Sequence, residues 1–386
     1  MNKRVKIILK YICSLITSII NKGQCLIVNR AHKFMISKLH LRKENYSEYL
    51  EYAKWIRSYG FKPAKSDFVL FYPYLKHLEY GWKIVPAYVV HNYINPILNP
   101  IEIRGFYEDK NSFEKLIPNC LPHAVLKKIQ GLFYNADYVP VDIRTDADLL
   151  KVLEGLNKII IKPSVESSSG NGIKIFTKNG DNWIDVSDGE KLSIKLLNEE
   201  WGEDFIIQEV LTQSPFMSRF NPTSINTLRM VTYRSVEDNE VSLLWTIIRI
   251  GGAGSFVDNA HSGGVYVGVD ASGKLNHFVC NQYGEVFYEH NGLNFKEMDF
   301  VVPDYDKIVD FVKDAAKKVL HHRLVAFDVA VDANNEYKII EFNLRGFSGW
   351  LGEFSGFLKF GDKADEILKY CSRHKGQANK VFYQIG

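Results

Sequence analysis

The chain has 386 residues, 46% hydrophobic and 24% charged, which is ordinary for a soluble globular protein and long enough for two or three packed units. That composition excludes disorder over most of the chain, and no low-complexity tract or repeat period stands out. Its formal charge is only +3, and its five scattered cysteines include no C-x-x-C pair, which excludes a disulfide framework and zinc-ligand spacing and fits a reduced, cytosolic setting.

The charge is unevenly placed. Residues 1–43 hold ten Lys and Arg and no acid, so against the total of +3 the rest of the chain carries −7. A basic arm on an acidic body fits an anionic surface as partner. Within it, residues 5–20 (VKIILKYICSLITSII) are broken by Lys10 and short of the roughly 20 residues a bilayer span needs. No small-residue cleavage site follows, so a signal peptide is not expected. At helical spacing Val5, Ile8, Leu9, Ile12, Leu15, Ile16 and Ile19 share one face, with Lys3, Lys6 and Lys10 opposite and Ile7 out of place. The pattern fits a basic amphipathic helix lying in a membrane interface, or a helix packed on the body with its lysines in water. No nucleic-acid-binding motif accompanies the basic run, so nucleic acid is not an expected partner.

Residues 44–60 predict a core-facing helix with Tyr46, Tyr49, Leu50, Ala53 and Ile56 as its stripe. Residues 65–105 mix short helical and extended pieces without a recognisable unit. Residues 106–118 predict a turn and then a helix, with Asp109 as a cap, and residues 145–156 predict a second helix capped by Thr145 or Asp146.

Two hairpins carry the chemistry. In the first, Ile159–Ile161 form a buried strand with Lys162 at its end. Ser167, Ser168, Ser169, Gly170, Asn171 and Gly172 form a small-residue tip, and Ile173–Phe176 return. Small residues let backbone N–H groups and hydroxyls approach phosphate oxygens while a lysine adds charge. Walker A and G-x-G-x-x-G patterns are both missing here. In the second, residues 325–331 (VAFDVAV) and 337–343 (YKIIEFN) flank a turn at Asp332, Asn334 and Asn335. Glu341 and Asn343 share a face, and the hairpin brings Asp328 near Glu341. Three oxygen donors there suit Mg²⁺. The alternative, two ordinary solvent-facing charges, fits poorly with strands so apolar.

Taken in order, Asp109-Lys110, Ile161-Lys162-Pro163-Ser164 with its Ser/Gly loop, Ile207-Gln208-Glu209-Val210-Leu211 and Asp328…Glu341-x-Asn343 resemble the ATP-grasp superfamily. D-alanine–D-alanine ligase is similar in the KPS…SS loop and the D…E-x-N hairpin. The sugar-transfer-associated ATP-grasp proteins of surface polysaccharide loci are similar in Asn226-Thr227-Leu228-Arg229 and in Asp258-Asn259-Ala260-His261-Ser262-Gly263-Gly264. The resemblance covers roughly residues 105–360. It implies an α+β fold of two subdomains clasping ATP, with a helical N-terminal extension. The expected divisions are 1–43, the basic arm; 44–105, a mixed or helical region; 106–207, the N-terminal grasp subdomain; and 208–386, the C-terminal one.

The resemblance also implies roles. Lys110 and Lys162 would hold ATP phosphates under the 167–172 loop, with Gln208, Glu209 and Leu211 at the hinge reading adenine. Asp328, Glu341 and Asn343 would bind Mg²⁺, and Arg229 would steady the transferring phosphoryl group. Asn259, His261, Gly263 and Gly264 would border the substrate; His261 would bind it or act as a base, or be a loop histidine with neither role. Arg345 would grip an anionic substrate, or is a surface arginine. Three features depart from D-alanine–D-alanine ligase: Ala326 stands where an arginine precedes the metal aspartate, residues 212–219 lack its acidic ribose contact, and its N-terminal α/β domain is not evident in residues 44–105. The implied reaction joins a small-molecule or glycan carboxylate to an amine with Mg-ATP, in the cytoplasm and at the inner face of the membrane if the arm binds there. A kinase acting on a hydroxyl and a nucleotide-binding scaffold are the alternatives.

Overall fold

The computed structural model describes residues 3–41, 47–165, 172–252 and 263–378. It opens with a helix, α1 (Lys3–Lys38), far longer than the amphipathic run suggests, because nothing between residues 21 and 38 breaks it. Then come α2 (Glu48–Ser58) and α3 (Lys65–Leu75), and short helical turns continue to Leu98. The stripe expected on α2 is partly corrected: Tyr52, Ala53 and Ile56 are buried, but Leu50 points into solvent. Residues 65–98, unassigned from sequence, are mainly helical.

The first sheet is built from β1 (Ala124–Ile129), β2 (Leu132–Tyr134), β3 (Lys158–Pro163), β4 (Lys174–Asn179), β5 (Asn182–Asp185) and β6 (Phe205–Glu209), in the order β2-β1-β6-β3-β4-β5. One face is covered by the helices Asp146–Val152 and Ile194–Trp201. Leu149, Leu196, Ile159, Ile161, Phe176 and Ile207 form the core between them. The 146–152 helix starts with the expected cap: Thr145 accepts from the Asp148 N–H, and the Asp148 side chain accepts back from the Thr145 N–H.

The second sheet takes β7 (Thr227–Arg234), β8 (Val241–Ile250), β9 (Val265–Val269), β10 (Val279–Cys280) and β11 (Val286–Phe287). A separate small ribbon pairs β12 (Glu289–His290) with β13 (Leu293–Asn294), and β14 (Leu324–Val331) and β15 (Tyr337–Asn343) complete the large sheet in the order β11-β10-β9-β8-β7-β14-β15. Its central strands are apolar on both sides because both sides are covered. Leu228, Met230, Ile248 and Phe327 pack under the helix Tyr305–Lys318. Val231, Tyr233, Trp245, Ile247 and Ala326 pack against α2, α3 and the helices Gly349–Phe354 and Ala364–Arg373. The N-terminal helices are therefore part of the second subdomain's core.

Candidate functional site

The alternation of β14 decides where its one carboxylate points. Val325, Phe327 and Val329 face the 305–318 helix, so Asp328 projects to the other side with Ala326. In register, Asp328 sits opposite Arg229 of β7 on one flank and Glu341 of β15 on the other. Three charged residues thus form one row across three adjacent strands, and Asn343, opposite Ala326, extends it. A bulge just past the Asp328–Glu341 pair ends the regular ladder there.

Arg229 grips Asp328 with two bonds, Nε to Oδ1 at 2.8 Å and Nη2 to Oδ2 at 2.6 Å, and Arg249 adds Nη1 to Oδ2 at 3.2 Å. Burial works to raise the Asp328 carboxyl, but the guanidinium groups of Arg229 and Arg249 outweigh it, and its pKa lies below the usual carboxylate value. Glu341 behaves in the opposite way: burial and the charge of Asp328 push it up, against Lys110, Arg229 and Lys162. Asn343 donates a long bond, 3.4 Å, to Glu341 Oε1.

The lysines come from the first sheet and the segment before it. Ile159 and Ile161 face the core of that sheet, so Lys162 faces away from it. Asp109 caps a short 3₁₀ turn, Lys110–Ser112, rather than the longer helix expected for 106–118, and residues 101–108 are themselves helical. The Lys110 N–H donates to the Ser164 carbonyl at 2.9 Å, which anchors that turn beside the end of β3. Both lysines are buried. Burial and the neighbouring Lys110 lower Lys162 to about 8, and burial lowers Lys110 as well. Lys162 pairs with Ile206 of β6 through its backbone, and its side chain makes no hydrogen bond or ion pair among the described residues.

The remaining candidates fall into three groups. Ser167, Ser168, Ser169, Gly170, Asn259 and His261 lie outside the described residues. Gly172 is described: its φ of +72° suits glycine, a Cβ there would come within 2.9 Å of Pro163 Cγ, and its carbonyl accepts from Trp201 Nε1 at 2.6 Å. Gly263, at φ +81°, and Gly264 lead into β9. Gln208 is buried with its Nε2 on the Pro122 carbonyl, 3.0 Å, and its Oε1 has no hydrogen-bond partner among the described residues. Glu209 and Leu211 line a cleft of about 710 Å³ together with Pro122, His123, Lys127 and Lys338. The charged row and the two lysines do not line that cleft, so the hinge and charged candidates occupy separate places. Arg345 is exposed, 3.3 Å from Glu108, a residue that also pairs with Arg104.

Arg249 was missed from sequence. It lies in an otherwise apolar strand, SLLWTIIRI, and a lone charge near the end of such a strand was the available signal. Its side chain puts a second guanidinium on Asp328, while Ala326 contributes none.

Comparison with known proteins now adds its findings. A family described as sugar-transfer associated ATP-grasp matches residues 89–353. No curated protein matches the chain. Among solved structures, the biotin carboxylase domain of 2-oxoglutarate carboxylase from Hydrogenobacter thermophilus is 10% identical with a TM-score of 0.40, covering 70% of this chain and 46% of its own. The D-alanine–D-alanine ligase from Coxiella burnetii is 11% identical with a TM-score of 0.41, covering 72% and 61%. The D-alanine–D-serine ligase from Enterococcus faecalis is 12% identical with a TM-score of 0.37, covering 69% and 61%. The chain therefore spans about half to three fifths of these proteins.

Proposed function

The chain belongs to the sugar-transfer associated ATP-grasp family, and we propose from that premise that it is a Mg-ATP-dependent ligase joining a carboxylate to an amine. The observation that supports this best is the gathering of four cations at one place. Lys110, Lys162, Arg229 and Arg249 gather around Asp328 and Glu341 at a largely buried site, with Glu108 and Asp109 also acting on Lys110. The Lys162 side chain among them is buried and makes no hydrogen bond or ion pair among the described residues, a cost that an anion with several charges, such as a polyphosphate, would relieve.

The donor set also fits a hard divalent cation. Glu341 and Asn343 offer oxygens side by side, and burial together with the charge of Asp328 raises the Glu341 pKa, a cost that a divalent cation would offset. Asp328 has oxygen lone pairs left beyond its three arginine contacts, so it can join as a ligand. When bound, the metal supplies Lewis-acid neutralisation of phosphoryl oxygens.

The chain's own part is positioning. Lys110 and Lys162 reach phosphate oxygens, and Lys162, near 8, is cationic in most molecules at pH 7. Arg229, fixed by its double bond to Asp328, holds a guanidinium edge toward the transferring phosphoryl group without needing to reorganise. A carboxylate oxygen of the substrate bonds to the γ-phosphorus as the bond to ADP breaks. The amine nitrogen then bonds to the acyl carbon as phosphate leaves. Glu209 and Leu211 line a cleft and would receive the base there. The substrates we favour are a sugar acid or amino acid of a surface glycan, a choice that rests on the family's association with sugar transfer.

The test scores ADP and free phosphate from Mg-ATP with pools of sugar acids and amines. ADP and phosphate together, only when both pools are present, is the expected outcome. ADP without phosphate would assign a hydroxyl acceptor instead. Glu341→Gln should cut turnover by about 10²–10³-fold with an unchanged melting temperature; full activity in that variant would remove Glu341 from the site.

A further inference from the structure

Helix α1 is packed the wrong way round for a helix of a water-soluble body. A surface helix normally buries its apolar stripe and turns its polar side to water. Among its described side chains, several uncharged polar ones face the body. Thr17 and His32 are buried, and His32 Nδ1 lies 3.0 Å from Asp67 Oδ1 of α3. Asn29 Oδ1 accepts from Ser66 at 3.2 Å, and Cys25 Sγ accepts from Asn92 at 3.4 Å. Of the described side chains of α1, Met35, Ile36 and Leu39, near the C-terminal end, join the apolar core.

The apolar side faces out. Leu15, Ile19, Leu26, Ile27 and Phe34 are 54%, 62%, 71%, 70% and 57% exposed, and Ile12, Ile16 and Ile20 are exposed beside them. At 1.5 Å per residue the stretch from Leu15 to Phe34 runs about 28 Å along the surface. The strip continues past the helix end, because Lys38 pairs with Glu285 at 3.2 Å and the next three residues, Val286, Phe287 and Tyr288, are also exposed. An apolar strip of this length left open on a folded body marks a docking surface.

Charge decides what docks. Residues 1–43 carry ten Lys and Arg and no acid, and Lys22, Arg30 and Lys33 are exposed along the same helix. A second copy of this helix would bring like charges together, whereas an anionic lipid surface offers both an apolar layer and opposite charge. No helix among the described residues is long and apolar enough to cross a membrane. We infer that α1 lies flat in the interface of an anionic membrane, its apolar strip in the acyl boundary and its basic residues on the headgroups. The fixed polar side then orients the catalytic body on that surface.

Flotation of the full chain with vesicles tests this directly. Vesicles with about one third phosphatidylglycerol should bind at least about tenfold more protein than pure phosphatidylcholine, and raised salt should weaken that binding. The variant Ile19→Gln/Leu26→Gln/Ile27→Gln keeps the charge and alters only exposed positions. It should lose most vesicle binding while keeping its melting temperature. Lys22→Gln/Arg30→Gln/Lys33→Gln should reduce binding to anionic vesicles specifically. No preference for anionic vesicles, or full binding by the glutamine variant of the apolar strip, would overturn the inference. So would a lipid-free dimer, seen by sedimentation, that the same variant dissociates, because the strip would then belong to a second copy. Vesicle binding is read without turnover, so its failure leaves the ligase assignment untouched.

Discussion

Two buried ion clusters lie on the same side of the second sheet, and they are built differently. The first joins Asp328 and Glu341 to Arg229, Arg249, Lys110 and Lys162, with Glu108 and Asp109 also acting on Lys110 and the Lys162 side chain bonded to none of them. The second lies beneath α1: His32 and Asp67 bond at 3.0 Å, and Lys359 stands 3.2 Å from Glu353 and donates to the Val85 carbonyl. There each acid has a close partner, His32 for Asp67 and Lys359 for Glu353, and the Ala87 N–H closes on Asp67 Oδ2 at 2.6 Å. Burial of charge alone therefore does not mark a site. The matched cluster ties a helix to the body, and the first is the one we propose receives a polyanion.

The comparison can be broken by removing one member from the matched cluster. Asp67→Ala leaves His32 and the Ala87 N–H without their acceptor, and should cost about 3–5 kcal/mol, read as a loss in denaturant midpoint, with Mg-ATP affinity unchanged. A smaller effect sharpens it through pH. Burial pushes Glu353 up to about 7, so the folded state holds its proton more tightly than the unfolded state. The contribution of Glu353 is complete below its ordinary value, near 4.5, and is lost as pH rises through about 7. Asp67 works the other way: burial is outweighed by the His32 bond, its pKa is lowered, and its contribution is lost as pH falls below the ordinary 3.8. Glu353→Gln should flatten the fall in stability between about pH 5 and 8, a change of about 2–3 kcal/mol, seen in denaturant melts at both ends. An unchanged slope would separate Glu353 from that pH dependence.

Much of the first cluster was legible in the sequence. Asp328 and Glu341 stand out because they interrupt apolar strands, and period-2 alternation plus a turn at Asp332–Asn335 is enough to pair them. Lys162 at the end of a three-isoleucine strand is legible for the same reason. Arg249 was not, since its meeting with Asp328 depends on the strand order β8-β7-β14, which is non-local. The split between the hinge cleft and the charged row is likewise set by how the two sheets pack. For α1 the apolar stripe was readable, but not which side faces the body. That depends on Asp67, Ser66 and Asn92, residues 35 to 67 positions away from their partners. Residues 65–98 were obscure because both faces of their short turns are apolar, and no single period emerges.

The most direct test is Mg-ATP affinity by calorimetry, with melting temperature measured in parallel, on the wild-type chain and Lys162→Met. The Lys162 side chain is a buried cation with no hydrogen bond or ion pair among the described residues, so replacing it with an apolar chain of similar length should leave the melting temperature equal or higher. Affinity should fall by about 10²-fold, the cost of a charge-assisted contact to phosphate at a dry site. Wild-type affinity in a well-folded Lys162→Met would contradict the account, because the buried lysine would then serve something other than the nucleotide.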